Sequence, residues 1–421
     1  MAATCVAISA SQLAIGLESG DVLLYRHGID EPTRLPGHDG GVACVAFDPD
    51  GVHLVCSGVN GSLRVTQCAR PSESMITYSP APSSSSNAHK RTPIASIDMI
   101  CCSRNFYAAP VGKSIAIGKF ASPSISWIGE TENIIDGVQI VDDSLVFGAS
   151  FGGLKVWHAG ENCKRYSDRL PAANRSATAD LAVAGWARSL LASPSGAWLA
   201  AWVTVAGSES SASRLWLWRT SDGADFECGG FNGPLDALAW SADSRLLATC
   251  CGSEATVWFF GSSSAGPAGR TPTKLRASCG QDVPEVRLLS AAFSPDARNL
   301  ACGTKDGAVV VFSLLPDAVA QAGEQATPRA WRPKRPALVQ RPRTSCDGED
   351  ADAKLGPIEH VGWWESTPGL LVAAGSFGSV VTGLASTSDG HNGQHRAASD
   401  AQADDAPGGG CGATQKRPRS P

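Results

Sequence analysis

The chain has 421 residues, 43% hydrophobic and 18% charged, a composition that suits a soluble globular protein and excludes a disordered or fibrous one. A formal charge of -5 and a pI near 5.9 exclude a global attraction to nucleic acid or to anionic membrane surfaces. No run of about 18 apolar residues occurs, so no transmembrane helix is expected, and the N-terminus lacks the features of a signal peptide.

Forty-five glycines and 26 prolines, with few long helical patterns, predict many short strands joined by turns. The first group is "CVAISASQLAIGLESGDVLLYR" at 5–26, three apolar runs separated by two turns. "VACVAFDPDGVHLVCSGVNGSLRVTQC" at 42–68 repeats it, and weaker copies follow at 94–120, 134–157 and 187–219. "WSADSRLLATCCGSEATVWFF" at 240–260, "LSAAFSPDARNLACGTKDGAVVVFSL" at 289–314 and a last copy at 358–384 bring the units to eight. They recur roughly every 40 to 70 residues, the spacing of a repeat protein.

The turn residues explain the pattern. Asp48-Pro49-Asp50-Gly51 and Ser294-Pro295-Asp296-Ala297 suit loops built on a type I turn, because proline fixes φ at the second position. Asn60-Gly61, Asp306-Gly307 and Gly152-Gly153 suit tight hairpins, which need positive φ. The third strands, "AVVVF", "LWLW" and "TVWFF", are apolar on successive residues, so both their faces are covered. A small sheet packed between two similar sheets is a propeller blade.

On these residues the chain resembles the WD-repeat β-propeller family over roughly residues 4–385, in its divergent, stand-alone bacterial form. The family's Gly-His pair stands once, as Gly37-His38. Its third-strand tryptophan stands at Trp157, Trp218 and Trp258, each followed by a residue other than aspartate: His158, Arg219 and Phe259. With no Trp-Asp dipeptide anywhere, the family's Asp–His–Ser/Thr–Trp hydrogen-bond network is not expected to be complete in any unit.

The expected fold is all-β, a propeller of about eight four-stranded blades, with seven as the alternative. Each outer fourth strand should come from the segment before the next unit, as "PTRLPGH" at 32–38 does for the first. The eighth unit is followed only by the tail, and Met1 to Ala3 are too few to supply a strand, so an open edge is expected at Val380 to Leu384. Such an edge suits a partner strand or dimerisation. Residues 1–385 make the propeller, with loop insertions at 69–93, 261–284 (a short outer strand at Lys274 to Ala277) and 316–356. Residues 386–421 read as a disordered tail.

Site chemistry is sparse. Fourteen cysteines include no Cys-x-x-Cys pair, and the vicinal pairs Cys101-Cys102 and Cys250-Cys251 lie in apolar runs as core thiols. His391 and His395 have a metal-ligand spacing but lie in the tail, and Asp142-Asp143 reads as a wet turn. No catalytic residue, metal or cofactor is expected. Arg329, Arg332, Lys334, Arg335, Arg341 and Arg343 surround Trp331, a nucleic-acid pattern partly neutralised by Asp347, Glu349, Asp350 and Asp352 in a solvated loop. Lys416-Arg417-Pro418-Arg419 would direct an otherwise cytoplasmic protein to a nucleus if the source has one.

The leading function is a non-enzymatic interaction scaffold for protein or peptide partners. The alternatives are an enzyme with its site in the central funnel and a nucleic-acid binder using 329–343. In the family, the turn between second and third strands lies on the top face, beside the lead-in to each first strand. The resemblance therefore places Glu18, Asn60, Lys113, Phe151, Glu254, Lys305, Asp306 and Phe377 on that face, with Arg188 and Arg287 nearby. Phe151 and Phe377 stand in glycine-flanked turns, where an apolar ring suggests a covering partner.

Overall fold

The computed structural model describes residues 3–9, 11–26, 31–78, 97–128, 133–141, 143, 145–158, 181–205, 213–221, 224–260, 272–276, 286–314, 338–340, 357–363, 370–375 and 380–384. Every regular element among them is a β-strand, apart from one 3-10 turn at Pro71–Glu73. All described residues fall in the compact unit Met1–Ala385.

Unit one is a sheet of β1 (Ala3–Ile8), β2 (Gln12–Leu17), β3 (Val22–Arg26) and β4 (Thr33–Leu35). Unit two follows with β5 (Val42–Phe47), β6 (His53–Gly58), β7 (Leu63–Gln67) and β8 (Met75–Tyr78). Unit three has β9 (Cys101–Cys102), β10 (Phe106–Val111), β11 (Ser114–Lys119) and β12 (Ser122–Ile128). One six-stranded sheet then holds β13 (Ile135–Val141), β14 (Leu145–His158), β15 (Leu181–Ala192), β16 (Trp198–Val205), β17 (Ser213–Arg219) and β18 (Asp225–Cys228). Unit six has β19 (Leu235–Trp240), β20 (Leu246–Cys251), β21 (Glu254–Phe259) and β22 (Thr273–Arg276). Unit seven has β23 (Leu288–Phe293), β24 (Asn299–Thr304), β25 (Val309–Ser313) and β26 (Leu338–Gln340). A three-stranded sheet of β27 (Ile358–Trp363), β28 (Leu370–Gly375) and β29 (Val380–Leu384) comes last.

The eight sequence units thus occupy seven sheets, because units four and five share one. β14 has 14 residues, yet a β-carbon on Gly148 would stand 2.8 Å from the Trp157 ring. A straight strand would hold those residues about 30 Å apart. β14 therefore folds back on itself in its middle, where Gly152-Gly153 predicts a hairpin. The first half of β15 then pairs with the returning arm, Gly153 with Ala182 and Leu154 with Leu181. Its second half pairs with β16, from Gly185 with Val205 to Ala192 with Leu199. One uninterrupted strand serves as the outer strand of unit four and the inner strand of unit five. The expectation of a separate ladder for every unit fails there.

Apolar clusters lie between successive units. The stretch 240–260 shows this pattern: Leu246 and Ala248 of unit six pack with Leu300 and Val310 of unit seven. Leu247 on the opposite side of the same strand packs with Leu215 and Leu217 of unit five. Consecutive apolar residues are required because both faces of the strand are buried. Units four and five also pack face to face, through Phe147, Leu154 and Val156 against Leu190, Leu199 and Trp218. Ile8 of β1 lies against β27, where a β-carbon on Gly362 would meet its Cδ1 at 2.3 Å, so the last unit abuts the first. This is a closed ring of antiparallel meanders, a β-propeller.

Outer strands arise within the three insertions, as β8, β22 and β26; β22 begins at Thr273 rather than Lys274. Among the described residues β29 has a ladder partner only in β28. Insertion residues 79–93, 261–271, 277–284, 316–337 and 341–356, with the basic residues of 329–343, and residues 385–421 lie outside the described residues. No helix among the described residues is long and apolar enough to cross a membrane.

Candidate functional site

The turns between second and third strands share one geometry. Gly20, Gly61, Gly112, Gly252 and Gly307 have φ of 91°, 78°, 61°, 58° and 82°, the left-handed backbone of tight hairpins. Each turn is bonded to the lead-in of a first strand. His38 N–H donates to Gly20 O (2.8 Å), Ile135 N–H to Gly112 O (2.9 Å) and Leu288 N–H to Gly252 O (2.8 Å). From the other side, Val59 N–H donates to Gly41 O (2.9 Å) and Lys305 N–H to Arg287 O (2.9 Å). Turns and lead-ins therefore form one interlocked surface. At Gly20 the fit admits only glycine, since a β-carbon would stand 2.0 Å from His38 O and 2.2 Å from Gly40 O.

The expected face residues divide into two groups. Glu18, Lys113, Lys305 and Asp306 are exposed at turn tips. The others with described side chains are occupied in building the surface. Asn60 Oδ1 accepts from Ser62 N–H (3.0 Å) and from Ser62 Oγ–H (2.6 Å). Glu254 accepts from Arg276 Nε of its own outer strand (2.5 Å) and lies 3.5 Å from Lys274 Nζ. Arg276, with Lys274, holds that carboxyl below the usual carboxylate range. Arg287 makes a two-pronged contact with Asp236 at 3.0 and 2.6 Å, which raises its pKa further. Asp306 also accepts the Thr304 hydroxyl. Phe151 and Arg188 are described in backbone only, and Phe377 lies outside the described residues. Asp236 escaped the sequence reading because its partner lies 51 residues away on the next unit.

Separate pieces of the His–Ser/Thr–Trp hydrogen-bond network are present in different units. In unit two, His38 Nδ1 lies 2.5 Å from Ser62 Oγ and His38 Nε2 lies 3.2 Å from Cys56 Sγ. Burial, followed by the nearby Arg64 charge, pushes His38 down to about 4, so the ring is neutral near pH 7. In unit six, Trp258 Nε1–H donates to Thr249 Oγ1 at 3.1 Å. In unit five, the buried Trp218 Nε1 has no partner among the described residues.

The thiols behave as core residues. Burial pushes Cys5 and Cys101 up to about 11, and Cys44, Cys56 and Cys68 up to about 12, so they stay protonated. Among the described residues no three His, Cys, Asp or Glu side chains converge as a metal ion would need. Asp143, expected to do no more than keep its turn wet, accepts from Asn105 Nδ2 (3.2 Å) and joins the first turns of units three and four.

Two stretches, residues 30–66 and 277–313, match the WD40 family pattern described as WD domain, G-beta repeat. Each covers a lead-in and the first three strands of one unit, unit two and unit seven. No curated protein matches the chain in sequence. Among solved structures, a chain of the mitotic checkpoint complex aligns with a TM-score of 0.51 at 16% identity, over 74% of this chain and 90% of its own. Sqt1 of Saccharomyces cerevisiae aligns with a TM-score of 0.61 at 10% identity, over 90% of this chain and 95% of its own. At these identities the likeness is one of fold.

Proposed function

We propose that this β-propeller, two of whose units match the WD40 repeat pattern, is a non-enzymatic scaffold that binds protein or peptide partners on the face made by its 2–3 turns. The observation that carries the reading is the division of labour on that face. Glu254, Asp236, Arg287 and His38 are engaged in holding the surface together, while Glu18 and Lys305 stand exposed at its tips. A rigid surface with charged tips of both signs suits recognition of another macromolecule. One structural neighbour comes from a multiprotein assembly, the mitotic checkpoint complex, which agrees with such a role. The described cysteines are free thiols, which suits a reducing, cytoplasmic location. Among the described residues β29 has no ladder partner on its outer edge, which would offer a second contact for a partner strand or a second copy.

The test is a pull-down from native extract with the full chain and two variants. Phe151→Ala with Phe377→Ala removes the turn rings, and Glu18→Lys with Lys305→Glu reverses two tips. Proteins retained by the wild type and lost from both variants, at unchanged thermal stability, support the reading. An unchanged set of retained proteins rejects this face.

A further inference from the structure

The turns between first and second strands repeat one design at Asp48–Gly51, Ser193–Gly196, Ser241–Ser244 and Ser294–Ala297. In each, the first carbonyl accepts the fourth residue's N–H, at 3.0, 2.8, 2.9 and 2.8 Å. The first side-chain oxygen accepts the N–H of His53, Trp198, Leu246 or Asn299, at 3.0, 3.0, 2.9 and 2.9 Å. Serine suffices in three copies. Only unit two has aspartate, and its second oxygen accepts from His53 Nδ1 at 2.9 Å. The Asp48 side chain is 3% exposed. A buried carboxylate holding an imidazole is more than this turn requires.

The surplus pair stands at a cavity of about 530 Å³ lined by His53, Val65, Gln67, Ser74, Met75 and Phe120. The cavity lies at the ends of β6, β7 and β11 remote from the 2–3 turns. His53 stacks on Phe120 with centroids 4.4 Å apart and planes 7° from parallel, which fixes the ring between units two and three. In the tautomer that gives its Nδ1–H to Asp48, the ring is left with Nε2 as a hydrogen-bond acceptor. The cavity continues onto the surface through Met75, which is 39% exposed, beside Ile76 at 57% and Trp127 at 47%. These are three of the six exposed large hydrophobic residues among the described ones, all on the outer strands β8 and β12. Tyr78 and Trp127 meet edge to face at 5.3 Å and join the two strands.

We propose that this cavity binds an aromatic side chain carrying a hydrogen-bond donor, a tyrosine or tryptophan, from a protein partner whose neighbouring apolar residues lie on Met75, Ile76 and Trp127. Val65, Met75 and Phe120 supply walls for a ring, and a thioether beside an aromatic face is a favourable contact. An aliphatic or phenylalanine side chain would cover the His53 acceptor without giving it a donor. An anionic group would approach the buried Asp48 charge. The site is separate from the turn face and does not depend on that face being correct.

The chain has three methionines, and methyl labelling gives one signal in the site, Met75, and one in the apolar core between units three and four, Met99. The full chain is titrated with N-acetyl-tyrosinamide, N-acetyl-tryptophanamide and N-acetyl-phenylalaninamide, at concentrations on the order of millimolar. The Met75 methyl signal should shift saturably with the first two, and about three- to tenfold more weakly with the third. His53→Leu should abolish that preference while the Met99 signal reports an intact fold, and Ile76→Asp should weaken a tripeptide with apolar flanks. No Met75 shift, an equal response to all three amides, or a preference that survives His53→Leu overturns the proposal.

Discussion

Trp258 donates its indole N–H to Thr249 Oγ1 at 3.1 Å, between paired strands of unit six where both side chains are buried. In unit five the matching position has lost its acceptor. Trp258 pairs with Leu247, two residues before Thr249, and Trp218 pairs with Leu199, two residues before Ala201. Thr249→Val should leave a buried donor unsatisfied and cost about 1–3 kcal/mol. Ala201→Ser should give Trp218 the acceptor it lacks and stabilise by about 0.5–1.5 kcal/mol. Urea unfolding of both variants checks the pair of signs, and a destabilised Ala201→Ser would show that the site has no room for the oxygen.

His38 makes stability depend on pH. Unfolded, it titrates near its ordinary value of 6.5; folded, burial moves it to about 4. Between those values the unfolded chain binds more protons, so stability is full above pH 6.5 and falls as pH drops toward 4. His38→Gln should be less stable than the wild type at pH 7, because the Ser62 contact is altered. It should also lose less stability between pH 6.5 and 4.5. Urea midpoints at the two pH values measure this, and parallel losses in both proteins would refute the assignment.

The fold was legible because both faces of each strand are covered, which writes continuous apolar runs into "TVWFF" and "AVVVF". Turn chemistry was equally legible: Asn60-Gly61 and Asp306-Gly307 have the positive φ at glycine that tight hairpins demand. The shared sheet of units four and five was not legible, since nothing in "LAVAGWARSLLA" marks where one ladder ends and the next begins. On the turn face, residue type identified exposed tips such as Glu18 and Lys305. It could not tell them from Glu254 and Arg287, whose partners depend on strand register and on the neighbouring unit. His53 was hidden for a related reason: its meaning appears only when its turn is compared with three others of the same geometry.

Ala297 is the fourth residue of its turn and has φ of 56°, where Gly51 and Gly196 occupy the same place at 67° and 71°. A left-handed backbone costs a residue with a β-carbon roughly 1–2 kcal/mol. Ala297→Gly should therefore stabilise by about 1 kcal/mol, offset in part by the greater freedom of glycine when unfolded. Gly51→Ala should cost about as much. Thermal unfolding of the two variants tests the prediction, and a destabilised Ala297→Gly would mean that the buried methyl group matters more than the strain.

The claim that the 2–3 turn face is where partners bind is tested most directly by amine cross-linking of the full chain with a partner retained from native extract, read by mass spectrometry. Lys113 and Lys305 stand exposed at two turns of that face, in units three and seven. The account predicts cross-links to the partner from at least one of them, lost when Glu18→Lys and Lys305→Glu abolish binding. A bound partner that cross-links from neither lysine would contradict it.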